Sequence, residues 1–168
     1  MKILNYITLI FISTTVLSGK SYSIEEVDIQ STIMKNGVVT ISETRKWKFE
    51  GKFSWVQQTI VKSGFDMIYD IELSEFNNPY ENRNNEALHT FQIIDGNNRL
   101  HIKWFHNSED EEKVFTLSYK LKGAIKVGPE DSQFHWTYLG DAWDKKRKRV
   151  NVKQSFETGL PEQRGGYS

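Results

Sequence analysis

The sequence predicts an all-β domain, an immunoglobulin-like two-sheet antiparallel β-sandwich of about eight or nine strands preceded by a signal peptide. Three observations predict it. Apolar and polar residues alternate with period two through most of the chain beyond residue 24, the pattern of strands with one buried and one wet face. Turn-forming residues separate the runs, and no stretch carries the 3.6-residue period of an amphipathic helix. Aromatic side chains, which suit half-buried strands, are abundant: Trp 5, Tyr 7 and Phe 10 in 168 residues. A chain of that length is one domain's worth, and a closed barrel is the alternative closure of the same strands.

The N-terminus reads as a leader, residues 1–23. Lys2 is a short positive region, and Ile3 to Leu17 is uncharged and mostly apolar. Ser21-Tyr22-Ser23 offers small residues at the two positions a signal peptidase reads, so cleavage is expected after Ser23, with Gly19 as the second choice. The apolar run is short beside the roughly 20 residues of a membrane span, and no second apolar stretch follows. A retained N-terminal anchor is the alternative. Export predicts a periplasmic, extracellular or outer-membrane-face location.

The strands follow in order. Lys35-Asn36-Gly37 is a hairpin turn between Ile24–Met34 and Val38–Phe49. In the second run Val39, Ile41, Trp47 and Phe49 share a face with Glu43 and Arg45. Two charges on an apolar face either pair there or are turned to water by a bulge. Met67–Glu75 places Met67, Tyr69, Ile71 and Leu73 on one face. Asp95-Gly96-Asn97-Asn98 joins Leu88–Ile94 to Arg99–Phe105, and Ser108–Glu112 reads as an acidic loop. In Val114–Lys122 the face is Phe115, Leu117, Tyr119 and Leu121, and in Val150–Phe156 it is Val150, Val152 and Phe156. The domain spans residues 24–162, and the Gly-rich polar tail 163–168 reads as disordered.

Composition excludes several functions. The chain has no cysteine, hence no disulfide, no thiol nucleophile, no thiolate zinc site and no lipid-modified N-terminal cysteine. With 22 basic and 22 acidic residues, less Lys2 and Lys20 in the leader, the net charge is −2, which gives no bulk attraction to nucleic acid. The histidines His89, His101, His106 and His135 lack the short same-face spacing of a metal site, and Ser108–Glu112 lacks the ligand spacing and glycine of a calcium loop. No phosphate loop, nucleophile elbow or zinc-protease motif occurs, so no catalytic residue and no cofactor are expected. Asp141 and Asp144, beside Trp143, are the nearest candidates for paired glycosidase carboxylates, although turn formation explains them as well.

The run Lys145-Lys146-Arg147-Lys148-Arg149 is the most unusual local feature. On a strand Lys145, Arg147, Arg149 and Lys153 share one face, a basic ladder for anionic lipid, wall polymer or an acidic partner. The same charges also guard an edge strand against aggregation.

The C-terminal third resembles a bacterial family. Phe134-His135-Trp136-Thr137-Tyr138-Leu139-Gly140-Asp141-Ala142-Trp143-Asp144, the strand Val150-Asn151-Val152 and then Leu160-Pro161-Glu162 resemble a block of the YciQ-like predicted membrane proteins, domain of unknown function 2207. Asn36-Gly37-Val38 with Glu43, Phe49-Glu50-Gly51-Lys52-Phe53 and Leu117–Ile125 look like further pieces of it. The resemblance implies an extracytoplasmic β-sandwich followed by transmembrane helices. It carries over no catalytic residue, and it implies structural roles for Glu43, Trp136, Gly140, Trp143 and Asp144. Lys145 to Arg149 depart from the expected less basic linker, and the family's later helices have no counterpart here, which suggests a truncated product or a stand-alone relative.

The reading at this point is a non-catalytic envelope module for interaction or assembly, meeting an envelope protein, a glycan or an anionic lipid. A glycan-active hydrolase and an anionic-surface binder are its rivals.

Overall fold

The computed structural model describes residues 19–138 and 147–157. The leader residues 1–18, Gly140, Asp141, Trp143, Asp144, Lys145 and the tail 163–168 lie outside the described residues. Among the described residues twelve strands are present: β1 (Ser21–Ile33), β2 (Val39–Glu50), β3 (Lys52–Val61), β4 (Met67–Glu75), β5 (Asn78–Pro79), β6 (Glu81–Asn82), β7 (Thr90–Asp95), β8 (Arg99–Glu109), β9 (Glu112–Lys122), β10 (Ile125–Val127), β11 (Ser132–Phe134) and β12 (Arg147–Phe156). The excess over eight or nine consists of β5, β6, β10 and β11, each two or three residues long and too short to show a period.

Two sheets pack face to face. The larger has the order β12-β1-β2-β9-β4-β5 and the smaller β3-β8-β7-β6, with β10-β11 as a separate ribbon. The pairing is not wholly antiparallel, because β1–β12 and β6–β7 run parallel. The Asn36-Gly37 turn forms as its residues require. Gly37 takes φ 78°, its N–H donates to the Met34 carbonyl at 2.9 Å, and the Asn36 side-chain oxygen accepts from Val38 N–H at 3.1 Å.

The core is aromatic where the sheets meet. Trp47 of β2 stands edge-on to Trp104 of β8, centroids 6.1 Å apart, and Phe115 of β9 meets Trp104 at 5.5 Å. Around them Ile24, Val27, Ile29, Ile41, Ile102, Leu117 and Leu121 are buried. Each such side chain contributes about 1.5–3 kcal/mol by leaving water.

Three local expectations change. In β4, Asp70 adopts φ 51° and the register against β9 shifts between Tyr69 and Glu72. This bulge reverses the alternation, so Ile68 and Leu73 sit opposite the buried Leu121 and Leu117 while Met67 is exposed. The expected acidic loop at Ser108–Glu112 is shorter, because β8 continues to Glu109, β9 starts at Glu112 and Ser108 is buried. Finally, Val152 (51% exposed) and Phe156 (62%) of β12 are not core residues. That strand is the edge of the six-stranded sheet, with β1 as its one neighbour in it.

Candidate functional site

The unbulged course of β2 past Glu43 determines the site. Its register against both β1 and β9 is continuous there, so Glu43 and Arg45 stay on the inner face with Ile41 and Trp47. Of the two readings of these charges, pairing in the interior holds. Glu43 is 2% exposed, Arg45 is 3% exposed, and the guanidinium Nη2 donates to Glu43 Oε2.

Two further strands complete the carboxylate's shell. Gln58 of β3 donates its amide to Oε2 at 3.0 Å, and Tyr119 of β9 donates its hydroxyl to Oε1 at 2.5 Å. The cluster therefore ties both sheets together through one buried anion. Burial, then the charge of Glu43 and its bond, push the Tyr119 hydroxyl far up from its ordinary value, so it keeps its proton.

The chain after β11 closes one side of this cluster. Trp136 packs on Phe65 at 5.5 Å and on Tyr119 at 6.3 Å. The Tyr138 hydroxyl donates to Ser31 Oγ of β1 at 2.6 Å. Between this strap and β3 lies a cleft of about 330 Å³. Its floor is Glu43, Arg45, Gln58 and Tyr119; Trp136 and Tyr138 line it beside them, and Ser63 stands exposed at its margin. Such a volume is at the lower end of small-ligand sites.

Of the sequence candidates, the structure brings Glu43 and Trp136 to this one cleft. Gln58 and Tyr138 were missed. Gln58 carried the same signal as Glu43, a polar residue between Val56 and Ile60 on an apolar face. The basic residues are elsewhere. Arg149 and Lys153 lie on β12 opposite Glu26 and Gln30, while Arg147 is opposite Ile24. Arg149 Nη1 donates to Glu26 Oε1 at 3.0 Å, so an acidic strand neighbours the basic one. Asn151 likewise donates to Asp28 at 2.7 Å.

Other candidate chemistry is dispersed. His101 and His106 fall on opposite faces of β8; His101 Nδ1 lies 2.8 Å from Thr59 Oγ1, and His106 is buried with Nδ1 2.6 Å from Ser108 Oγ. Among the described residues no group of three or more His, Asp or Glu is placed to hold a metal ion. Glu43 is the only carboxylate among the described residues lining the cleft, whereas glycosidase chemistry uses two.

Apart from Ser21 and Tyr22 of β1, the sandwich, its first hairpin and the aromatic strap fall within residues 23–157, which match the N-terminal domain of the predicted membrane proteins described as DUF2207. The chain belongs to that family. No curated protein matches it. A solved structure of a candidate protease from Parabacteroides distasonis is similar at TM-score 0.33 and 10% identity, over 60% of this chain and 23% of that one. At that distance the DUF2207 domain shares no argued fold with it, and the protease description belongs to that protein alone. Among the described residues of this DUF2207 domain, no helix is long and apolar enough to cross a membrane, which does not bear on β-barrels.

Proposed function

We propose that this DUF2207 domain is a non-catalytic recognition module on the outer side of a bacterial membrane, serving interaction or assembly in the envelope. The observation that carries the reading is the open cleft floored by a buried Glu43 whose two oxygens accept from Arg45, Gln58 and Tyr119. Evolved cores gain little from a buried ion pair that well-packed apolar residues would match or exceed in stability. A buried pair at the floor of a cleft fits recognition better than packing.

Export is part of the same reading. The leader-like residues and the membrane-protein family support it. The packing of Tyr22 favours processing after Gly19 rather than Ser23, because its ring lies 5.3 Å from Trp47 and 5.9 Å from Phe53. Cleavage after Ser23 would remove that ring and the first three residues of β1.

The test is co-sedimentation of the purified chain with isolated bacterial envelope, beside a Ser63→Trp variant that fills the cleft margin. Retention of the unaltered chain and its loss in the variant is the expected result. Equal behaviour of the two, bound or unbound, overturns the reading.

A further inference from the structure

We infer that the cleft between β3 and the Trp136–Tyr138 strap takes a neutral polyhydroxylated ligand, a short glycan segment. The inference rests on the recognition reading above and specifies its ligand.

Charge is the first argument. The floor holds one carboxylate and one guanidinium, and they pair with each other. Among the described lining residues the remaining side chains are amide, hydroxyl, aromatic, aliphatic and imidazole groups. A formally charged ligand would have to be desolvated against a floor whose charges already cancel, at a cost no opposite charge offsets. A neutral hydrogen-bonding ligand meets no such cost.

The second argument is that both oxygens of Glu43 are already engaged, accepting from Arg45, Gln58 and Tyr119. The carboxylate thus acts less as a docking group than as an anchor, fixing the amide of Gln58 and the ring of Tyr119 in the floor. Polar groups held in place in this way lose little freedom when a ligand binds.

The third is the lining itself. Trp136 and Tyr138 bring large amphipathic surfaces beside polar groups, the mixture that covers the apolar ring faces and the hydroxyl rim of a sugar. A purely apolar ligand would cover the exposed hydroxyl groups of Ser63 and Thr137 in the lining and leave them unmatched.

The experiment is isothermal titration of the full chain with cellotriose, maltotriose and chitotriose, and with trigalacturonate as an anionic comparison. At least one neutral trisaccharide should bind saturably, with an affinity unchanged by added sodium chloride. Trp136→Ala should weaken it roughly tenfold, the loss of one aromatic contact. If that variant misfolds by circular dichroism, Ser63→Trp at the exposed margin decides the question and should weaken binding by about the same factor or more. Silence with all three neutral sugars overturns the inference, as does salt-sensitive binding of trigalacturonate alone, or binding that Ser63→Trp leaves unchanged. If the sugars are silent while envelope co-sedimentation still depends on Ser63, the ligand class falls and the recognition reading stands.

Discussion

The Tyr119 hydroxyl lies 2.5 Å from Glu43 Oε1, in a bond that closes the hydrogen-bond shell of a buried anion from the neighbouring strand. Tyr119→Phe keeps the ring in the core and removes that donor. We expect a loss of about 1–3 kcal/mol in urea unfolding. Glu43→Ala should cost more, about 3–5 kcal/mol, because it takes away the carboxylate that Arg45 pairs with. A Tyr119→Phe protein as stable as the unaltered one would show that the bond does not hold the floor together.

Gly123 is a second sensitive position. It follows β9 with φ 72°, and a Cβ there would stand 2.0 Å from Asp66 Oδ2 and 2.9 Å from Asp66 Cβ. Gly123→Ala therefore combines a left-handed backbone with a displaced side chain, and should destabilise by about 2 kcal/mol or more. Adding Asp66→Ala removes the carboxyl group from the clash but leaves the Cβ contact at 2.9 Å and the backbone cost. Thermal unfolding of the double variant should recover part of the loss but not all of it.

His106 makes stability depend on pH. It is buried in contact with the Phe49 and Phe115 rings, centroids 5.0 and 5.3 Å away. Burial first, then the positive charge of Lys113, lower its pKa to about 4, against a contrary pull from Glu75. The folded value lies below the ordinary 6.5, so the native state favours the neutral ring. That contribution is fully present above pH 6.5 and is lost as pH falls toward 4, about 3 kcal/mol in all. Glu75 acts in the same direction lower in the range. Burial works against its charge, but the bonds from Lys113 and Tyr80 outweigh it and hold the carboxyl below its usual value. Urea midpoints taken from pH 7 to pH 4 should fall, and His106→Leu should flatten the upper part of that decline. A midpoint that stays level in the unaltered protein over this range contradicts the assignment.

Processing after Gly19 makes a prediction of its own. The chain expressed with its leader in a bacterial host should yield an N-terminus at Lys20 by Edman degradation. An N-terminus at Ile24 would place the cut inside β1 and expose Trp47 and Phe53. An uncut Met1 would support a retained anchor instead.

The fold was largely legible because its signals are local. The Asn36-Gly37 turn, the Phe115–Leu121 alternation and the burial of Trp47 follow from sequence spacing, and the structure agrees. Where reading failed, the cause was non-local. Nothing adjacent to Asp70 announces its positive φ, which falls in a register shift against the distant β9, between the pairs Tyr69–Lys120 and Glu72–Ser118. The exposure of Val152 depends on which strand covers β12, and period-two alternation is blind to that. The site was half visible. Glu43 and Arg45 stood out as charges on an apolar face, but their meeting with Gln58, Tyr119 and Trp136 required strands from both sheets and a strap near the C-terminus.

The parallel pairing of the first long strand with the last has a mechanical consequence. β1 and β12 are in register from Ile24–Arg147 to Ile33–Phe156, so the chain enters at one end of this ladder and leaves at the other, about 30 Å away. A pull on Ser21 and Glu157 in opposite directions would slide the two strands along each other. The rungs would then bear the load together instead of opening one after another. A tether at either end would stretch a clamp rather than a zipper, and the sandwich would stay closed under tension that peels an ordinary hairpin.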